Sequence, residues 1–352
     1  MDGLADRLAR RTLELVDIPS ESRNEAQIAE RVRSLVPPAF EAVYEADDAF
    51  LWALPRRPGV PLVLLAGHYD TVPAQDNVPG RIVNGAVHGL GAADMKGGLA
   101  VLLEVARDIA SPAFDVALLA FGKEELPPSE SPLPHLFETA PLIHEVELAI
   151  LLEPTSNAIQ AGCVGNLNAR LHFRGVSGHS ARPWLADNAI EQALVGLAPI
   201  ATLERREAVV GGLSFYEVVT ITRIAGGIAD NVVPDHVTAH LNYRYAPDRT
   251  PAEAELYLRG LVPDGAELEL AGDSPPARVV SDTPLVQALR EQGDLDLEPK
   301  QAWTNVADFT NRGIDAVNFG PGEPAFAHRR DEQVEIAALV RTYESLRAFL
   351  GG

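Results

Sequence analysis

Val116-Ala-Leu-Leu-Ala-Phe121, followed after Gly122-Lys123 by Glu124-Glu125, is the stretch whose reading decides the fold. An unbroken apolar run of this length, closed by a glycine and then by adjacent acids, describes a strand buried on both faces with charge at its exit. The pattern recurs along the chain. His68 and Asp70 follow Leu62-Val-Leu-Leu-Ala66, Glu153 follows Leu148-Ala-Ile-Leu-Leu152, and His328 comes a short loop after Ala316-Val-Asn-Phe319. Asp94 precedes a helix-like segment starting near Met95. Apolar runs alternating with helical spacing predict an α/β fold, a mixed sheet covered by helices. In an open sheet of this kind the carboxyl ends of the strands share one edge, and that edge holds the site. Four strand ends and one helix start therefore converge on a single expected cluster.

Working outward, Gly97 to Ala110 has Leu99, Leu102, Leu103 and Ala106 on one helical face. Leu4 to about Leu35 is helical in spacing, interrupted at Pro19 and ended by Pro37-Pro38. The texture changes near Gly165. Asn166 to Phe173 and His236 to Tyr245 alternate, as half-exposed strands do. Glu217 to Ile224 and Glu267 to Leu270 are strand-like. Asp187 opens a helix expected to run to about Arg206, and Thr250-Pro251 opens another to about Leu261. The order β-α-β-β-α-β is ferredoxin-like, an α+β unit with its own two-layer core. The chain thus reads as a discontinuous catalytic α/β domain, residues 1–165 and 279–352, carrying an inserted smaller domain, residues 166–278.

Composition excludes several classes. Twenty-nine basic residues against fifty acidic ones give a formal charge of −21, which opposes nucleic-acid or anionic-membrane binding. The apolar fraction of 46% and charged fraction of 22% are ordinary for a globular chain. Cys163 is the single cysteine, so no internal disulfide can form, which fits a reducing compartment. Met1-Asp-Gly-Leu-Ala-Asp-Arg7 lacks a basic region followed by an apolar core, and no apolar stretch approaches the roughly 18 residues that span a bilayer. A cytoplasmic enzyme is expected.

Each motif alone has an ordinary explanation. Gly67-His68-Tyr69-Asp70 would serve as a loop histidine beside a turn aspartate, and Asp94 as a helix cap. Glu124-Glu125 would serve as an exposed acidic turn in so acidic a chain, and His179 in Gly178-His179-Ser-Ala-Arg-Pro183 as a turn histidine. Jointly these explanations fail. Two histidines and three carboxylates without cysteine match the nitrogen and oxygen coordination of zinc, cobalt or manganese. Asp70 would orient the His68 imidazole. Of the adjacent glutamates a metal would take one, while the other accepts the proton of a water. His179 would act as a mobile donor to a substrate carbonyl.

In this order these motifs resemble the M20 family of metallopeptidases and amidohydrolases, over nearly the whole chain. The resemblance implies a pair of divalent metal ions, expected to be Zn2+, with Co2+ or Mn2+ as substitutes. It implies His68 and Glu153 on one ion, Glu125 and His328 on the other, and Asp94 between them. It implies Glu124 as general base. The inserted domain would be a lid that forms a homodimer, with His179 reaching the partner's active site, and Asn231 and Arg244 would hold substrate carboxylates. The substrate is then a small anionic N-acyl amino acid. Gly320-Pro-Gly-Glu-Pro-Ala-Phe-Ala-His328 favours the subgroup that removes succinate from N-succinyl-LL-2,6-diaminopimelate in lysine and diaminopimelate biosynthesis. Two departures stand out: Tyr69 sits between His and Asp, and Cys163-Val164 replaces basic residues found in several members of that subgroup. Another N-acyl amino acid deacylase, of the acetylornithine deacetylase kind, or a dipeptidase remains an alternative. So does a non-catalytic relative that binds metal or peptide, although such a relative has no need of Glu124.

Overall fold

In a computed structural model, residues 3–46 and 48–351 are described. Met1 and Asp2, which open the N-terminal stretch read above, lie outside the described residues. The chain forms two compact units. One holds the chain up to Ala161, then Val280–Glu298 and Asp308 onward; the other is Gly162–Val279 with Pro299–Ala307.

The first unit is built on an eight-stranded sheet. Its strand order is Glu41–Ala46, Ala49–Ala53, Asp115–Phe121, Leu62–His68, Val146–Leu151, Asp315–Asn318, Ile159–Cys163 and Leu297–Lys300. The four strands from Asp115–Phe121 to Asp315–Asn318 run parallel. Ala49–Ala53 and Ile159–Cys163 flank them antiparallel, which makes the sheet mixed. Every residue of Leu62–His68 and of Asp115–Phe121 is buried, as expected where helices cover both faces. Each fully buried leucine or valine there contributes about 1.5–3 kcal/mol relative to exposure. The helices Leu4–Val16, Gly97–Asp108 and Ile336–Leu350 pack on one another, and Gly97–Asp108 lies on the Leu62–His68 strand. Because the central strands are parallel, His68, Phe121, Leu151 and Asn318 end on a common edge.

The second unit is a five-stranded sheet in the order Arg206–Val210, Leu213–Gly226, His236–Tyr245, Gly165–Arg174, Ala266–Ser274, with all neighbouring pairs antiparallel. Leu167, Leu171 and Phe173 from one strand and Val237, Leu241 and Tyr243 from its neighbour share a core with Ala193, Leu197, Ala254 and Leu258 of two helices. Without its first strand the order is that of a ferredoxin-like unit. Helix Pro251–Gly260 starts at Thr250, whose hydroxyl caps Glu253 N while Glu253 returns a bond to Thr250 N, a full capping box.

Three local expectations change. The cap of helix Ala189–Ala201 is Asn188, which accepts from Ile190 N at 3.0 Å, rather than Asp187. Asp187 is held by its backbone, exchanging two bonds with Val176. That helix stops at Ala201, because Arg206 opens a strand that pairs with Leu213–Gly226. Pro299–Ala307 clusters with the second unit. Lys300 O accepts from Val164 N, and the Gln301 side chain bonds both backbone groups of Tyr216.

Candidate metal centre

His68 is the last residue of its strand and fully buried. Its Nδ1 lies 3.1 Å from the Asp70 backbone oxygen and 3.4 Å from Asp70 Oδ1, which leaves Nε2 facing forward. Nε2 is 3.2 Å from Asp94 Oδ1 and 3.9 Å from Glu153 Oε1. On the other side, His328 Nε2 is 3.0 Å from Glu125 Oε1 and 3.5 Å from Asp94 Oδ2. The two oxygens of Asp94 thus address two different histidines.

Asp94 does not cap a helix. It sits in a π-helical turn, Ala92–Lys96, with φ −124° and ψ 95°, and the following helix begins only at Gly97. Gly91 opens the turn at φ 77°, a conformation that favours glycine. Asp70 is also fully buried and ties three segments together. Its carboxylate accepts from Glu124 N at 3.0 Å, Glu125 N at 3.2 Å and Ser22 Oγ at 2.7 Å. The residue that orients His68 therefore also fixes where the adjacent glutamates leave their strand.

Five carboxylates, Asp70, Asp94, Glu124, Glu125 and Glu153, surround two imidazoles. Burial works against a charge on His68, but Asp70 and Asp94 outweigh it and hold its pKa well above the ordinary value. Glu125 and Asp94 raise His328 to about 9 against its partial burial. Burial, with repulsion from Glu153, Glu125 and Asp94, pushes the Glu124 carboxyl well above its usual range, and His68 only partly offsets this. Such a cluster calls for positive charge beyond its own imidazoles. His68, Asp94 and Glu153 form one group whose ligand atoms lie within 4.8 Å of one another, and Asp94, Glu125 and His328 form a second. His68, Glu124 and Glu125 form a third. The residues present fit a pair of cations that share Asp94.

Seven of the sequence-derived residues, His68, Asp70, Asp94, Glu124, Glu125, Glu153 and His328, are thus gathered in the first unit. His179, Asn231 and Arg244 belong to the second. His179 is exposed on a two-residue strand paired with Val232–Val233, and its Nδ1 accepts from Ala181 N. Asn231 adjoins that pairing, its carbonyl accepting from Ser180 N. Arg244 is half-buried, donates from Nε to Asn242 Oδ1 at 2.9 Å, and has its pKa lowered by burial. The sequence reading missed Ser22 and Glu332. A lone serine in a polar loop carries no signal. Glu332 sits in the charge run Arg329-Arg330-Asp331-Glu332, which reads as a solvated turn, yet it is 2% exposed.

Residues 64–351 match the model of peptidase family M20/M25/M40. The chain belongs to this family. Among M20 relatives, a putative succinyl-diaminopimelate desuccinylase from Mycobacterium tuberculosis is 38% identical over 346 residues, 97% of each chain. The succinyl-diaminopimelate desuccinylase of Corynebacterium glutamicum is 37% identical over 98% of each. Among solved structures, the M20 metallo-carboxypeptidase Sso-CP2 of Sulfolobus solfataricus superimposes with a TM-score of 0.78 over 98% of both chains at 18% identity. A dinuclear metal-binding M20 peptidase of Bacillus subtilis does so at 0.72, over 98% of this chain and 97% of that one, with 15% identity. At these identities the likeness shows the fold. No helix among the described residues is long and apolar enough to cross a membrane.

Proposed function

We propose that this M20 member is a metal-dependent amide hydrolase that removes succinate from N-succinyl-LL-2,6-diaminopimelate. The observation that carries the chemistry is the pair of ligand groups sharing Asp94, with Glu124 beside them. The substrate reading is supported by the names of the relatives that are 37–38% identical over nearly their whole length.

His68 and Glu153 would hold one ion, Glu125 and His328 the other, with Asp94 between. Divalent ions bound there would polarise the amide carbonyl and lower the pKa of water toward about 7. Zinc suits the donor set, as do cobalt and manganese. Asp70 fixes the ring orientation of His68 and, through the Glu124 amide, the start of the base. The Glu124 carboxylate takes a proton from the water whose oxygen bonds to the amide carbon and returns it to the nitrogen as the C–N bond breaks, giving a carboxylic acid and an amine that ionise to carboxylate and ammonium. His179 would donate a hydrogen bond to the carbonyl oxygen as it gains charge, from the partner subunit of a homodimer formed through the lid, residues 166–278. Asn231 and Arg244 would receive substrate carboxylates. Arg244 has its Nε engaged by Asn242, which leaves the end of its fork for a carboxylate.

One observation favours a second reading, another N-acyl amino acid deacylase or a dipeptidase. Cys163 and Val164 are both fully buried and supply no positive charge for an acyl carboxylate. A hydrolysis panel of N-succinyl-LL-diaminopimelate, N-acetylornithine and simple dipeptides with added Zn2+ separates the two. Succinate release from the first alone is expected; preferred cleavage of another member of the panel replaces the substrate assignment.

A further inference from the structure

Asp331 pairs with Arg329, and Arg330 with Asp76, all on the surface. Glu332 is the one residue of that charge run that turns inward. Its Oε2 accepts from Gly91 N at 2.8 Å, and its Oε1 accepts from Ala93 N at 3.0 Å and Asp94 N at 3.1 Å. All three donors are backbone amides of the turn that carries Asp94. That turn cannot satisfy them itself. Its closing bond is Lys96 N to Gly91 O at 2.7 Å, and Asp94 and Met95 have non-helical backbone angles. Convergent amides of this kind form a concavity for an anion, and here the chain supplies the anion from its own C-terminal segment.

That segment also carries His328. Gln75 Nε2 donates to His328 O at 2.9 Å, Asn77 Nδ2 donates to Arg329 O, and Gly89 N donates to Glu332 O at 3.0 Å. A short stretch of backbone fixed at these points thus presents a ring to one oxygen of Asp94 while its last carboxylate grips the amide of the same Asp94. We propose that Glu332 is a positioning residue of the centre: it sets the place of Asp94 relative to His328, and so the affinity of the shared cation site. This rests on the reading of Asp94 as the ligand common to both groups.

The test uses the full-length protein freed of metal with a chelator and titrated with Zn2+ by calorimetry. Hydrogen exchange at residues 89–96 is followed in the metal-free state. Glu332→Gln keeps the size but offers one acceptor oxygen and turns an NH2 toward N–H donors. It is expected to weaken Zn2+ binding about 10–100-fold and to speed exchange at Gly91, Ala93 and Asp94. Glu332→Asp, which keeps the charge with shorter reach, should recover part of both. Should the glutamine variant not fold, the aspartate variant carries the comparison, with a smaller loss expected and unchanged affinity contradicting the proposal. Wild-type affinity and protection in Glu332→Gln, alongside loss of a zinc in Asp94→Ala, overturns the role of Glu332 and leaves the centre standing. Wild-type zinc binding in Asp94→Ala overturns the centre itself and this proposal with it.

Discussion

Two neighbouring acids repel unless their surroundings divide their tasks, and Glu124 and Glu125 are divided by what each carboxyl meets. Glu125 lies against His328, while Glu124 is left among Glu153, Glu125 and Asp94 with its affinity for a proton raised. On the proposed reading one dipeptide supplies both a ligand and a proton acceptor, and Asp70 pins both amides. Glu124→Gln should therefore keep its zinc, by elemental analysis, while kcat falls about 10²–10⁴-fold. A variant that turns over within a fewfold of wild type would show that another group takes the proton. At this scale the sequence was legible wherever a residue followed a buried run, since the strand itself locates the side chain. Ser22 and Glu332 were not legible. Their roles come from partners at Asp70 and at Gly91–Asp94, far away in the chain, and neither polar segment looks different from a solvated loop.

At the scale of elements, the continuous apolar runs 62–66, 116–121 and 148–152 announced strands covered on both sides, and their parallel pairing brings the functional ends together. Helix Gly97–Asp108 must come close to the end of Val146–Leu151 for Asp94 to meet Glu153. Gly98 makes that approach possible: a Cβ there would lie 2.1 Å from Leu152 O, a backbone atom next to Glu153. Gly98→Ala should cost about 3 kcal/mol in denaturant unfolding, since neither backbone can move without displacing the site. A loss below half of that would mean the helix can move away freely. The strand Arg206–Val210 escaped notice for the opposite reason. It is a short sheet edge with only Ala208 buried, so its pattern shows no run and little alternation. Asp187 and Asn188 are both good caps, and only the backbone pairing of Val176 with Asp187 decides between them.

On the whole-molecule scale, the two textures in the sequence, covered runs and then strict alternation, correspond to two units, but Pro299–Ala307, which the pattern puts with the catalytic domain, clusters with the second unit. Its attachment runs through scattered hydrogen bonds: Val164 N to Lys300 O, two between the Gln301 side chain and the Tyr216 backbone, Trp303 Nε1 to Pro275 O and Cys163 Sγ to Thr304 O. The second unit has a buried electrostatic tie of its own. Burial would raise the Glu217 carboxyl, but Arg206 at 2.6 Å, Arg249 at 2.8 Å and the Ala246 amide hold its pKa below the ordinary value. A depressed folded pKa stabilises at pH values above the unfolded value of about 4.3, and the stabilisation is lost as pH falls through the folded one. Glu217→Gln should thus be less stable than wild type by about 3 kcal/mol at pH 7, with the gap closing below about pH 4 in acid titrations of urea unfolding. A gap that stays constant down to pH 3 would mean that the charge on Glu217 contributes nothing. In the proposed centre, distant strand ends grip two cations. Crystals of the zinc-loaded protein, measured at the zinc absorption edge, test this most directly. Two anomalous peaks are expected, one among His68, Asp94 and Glu153 and one among Asp94, Glu125 and His328; zinc bound away from these residues, or none at all, would contradict it.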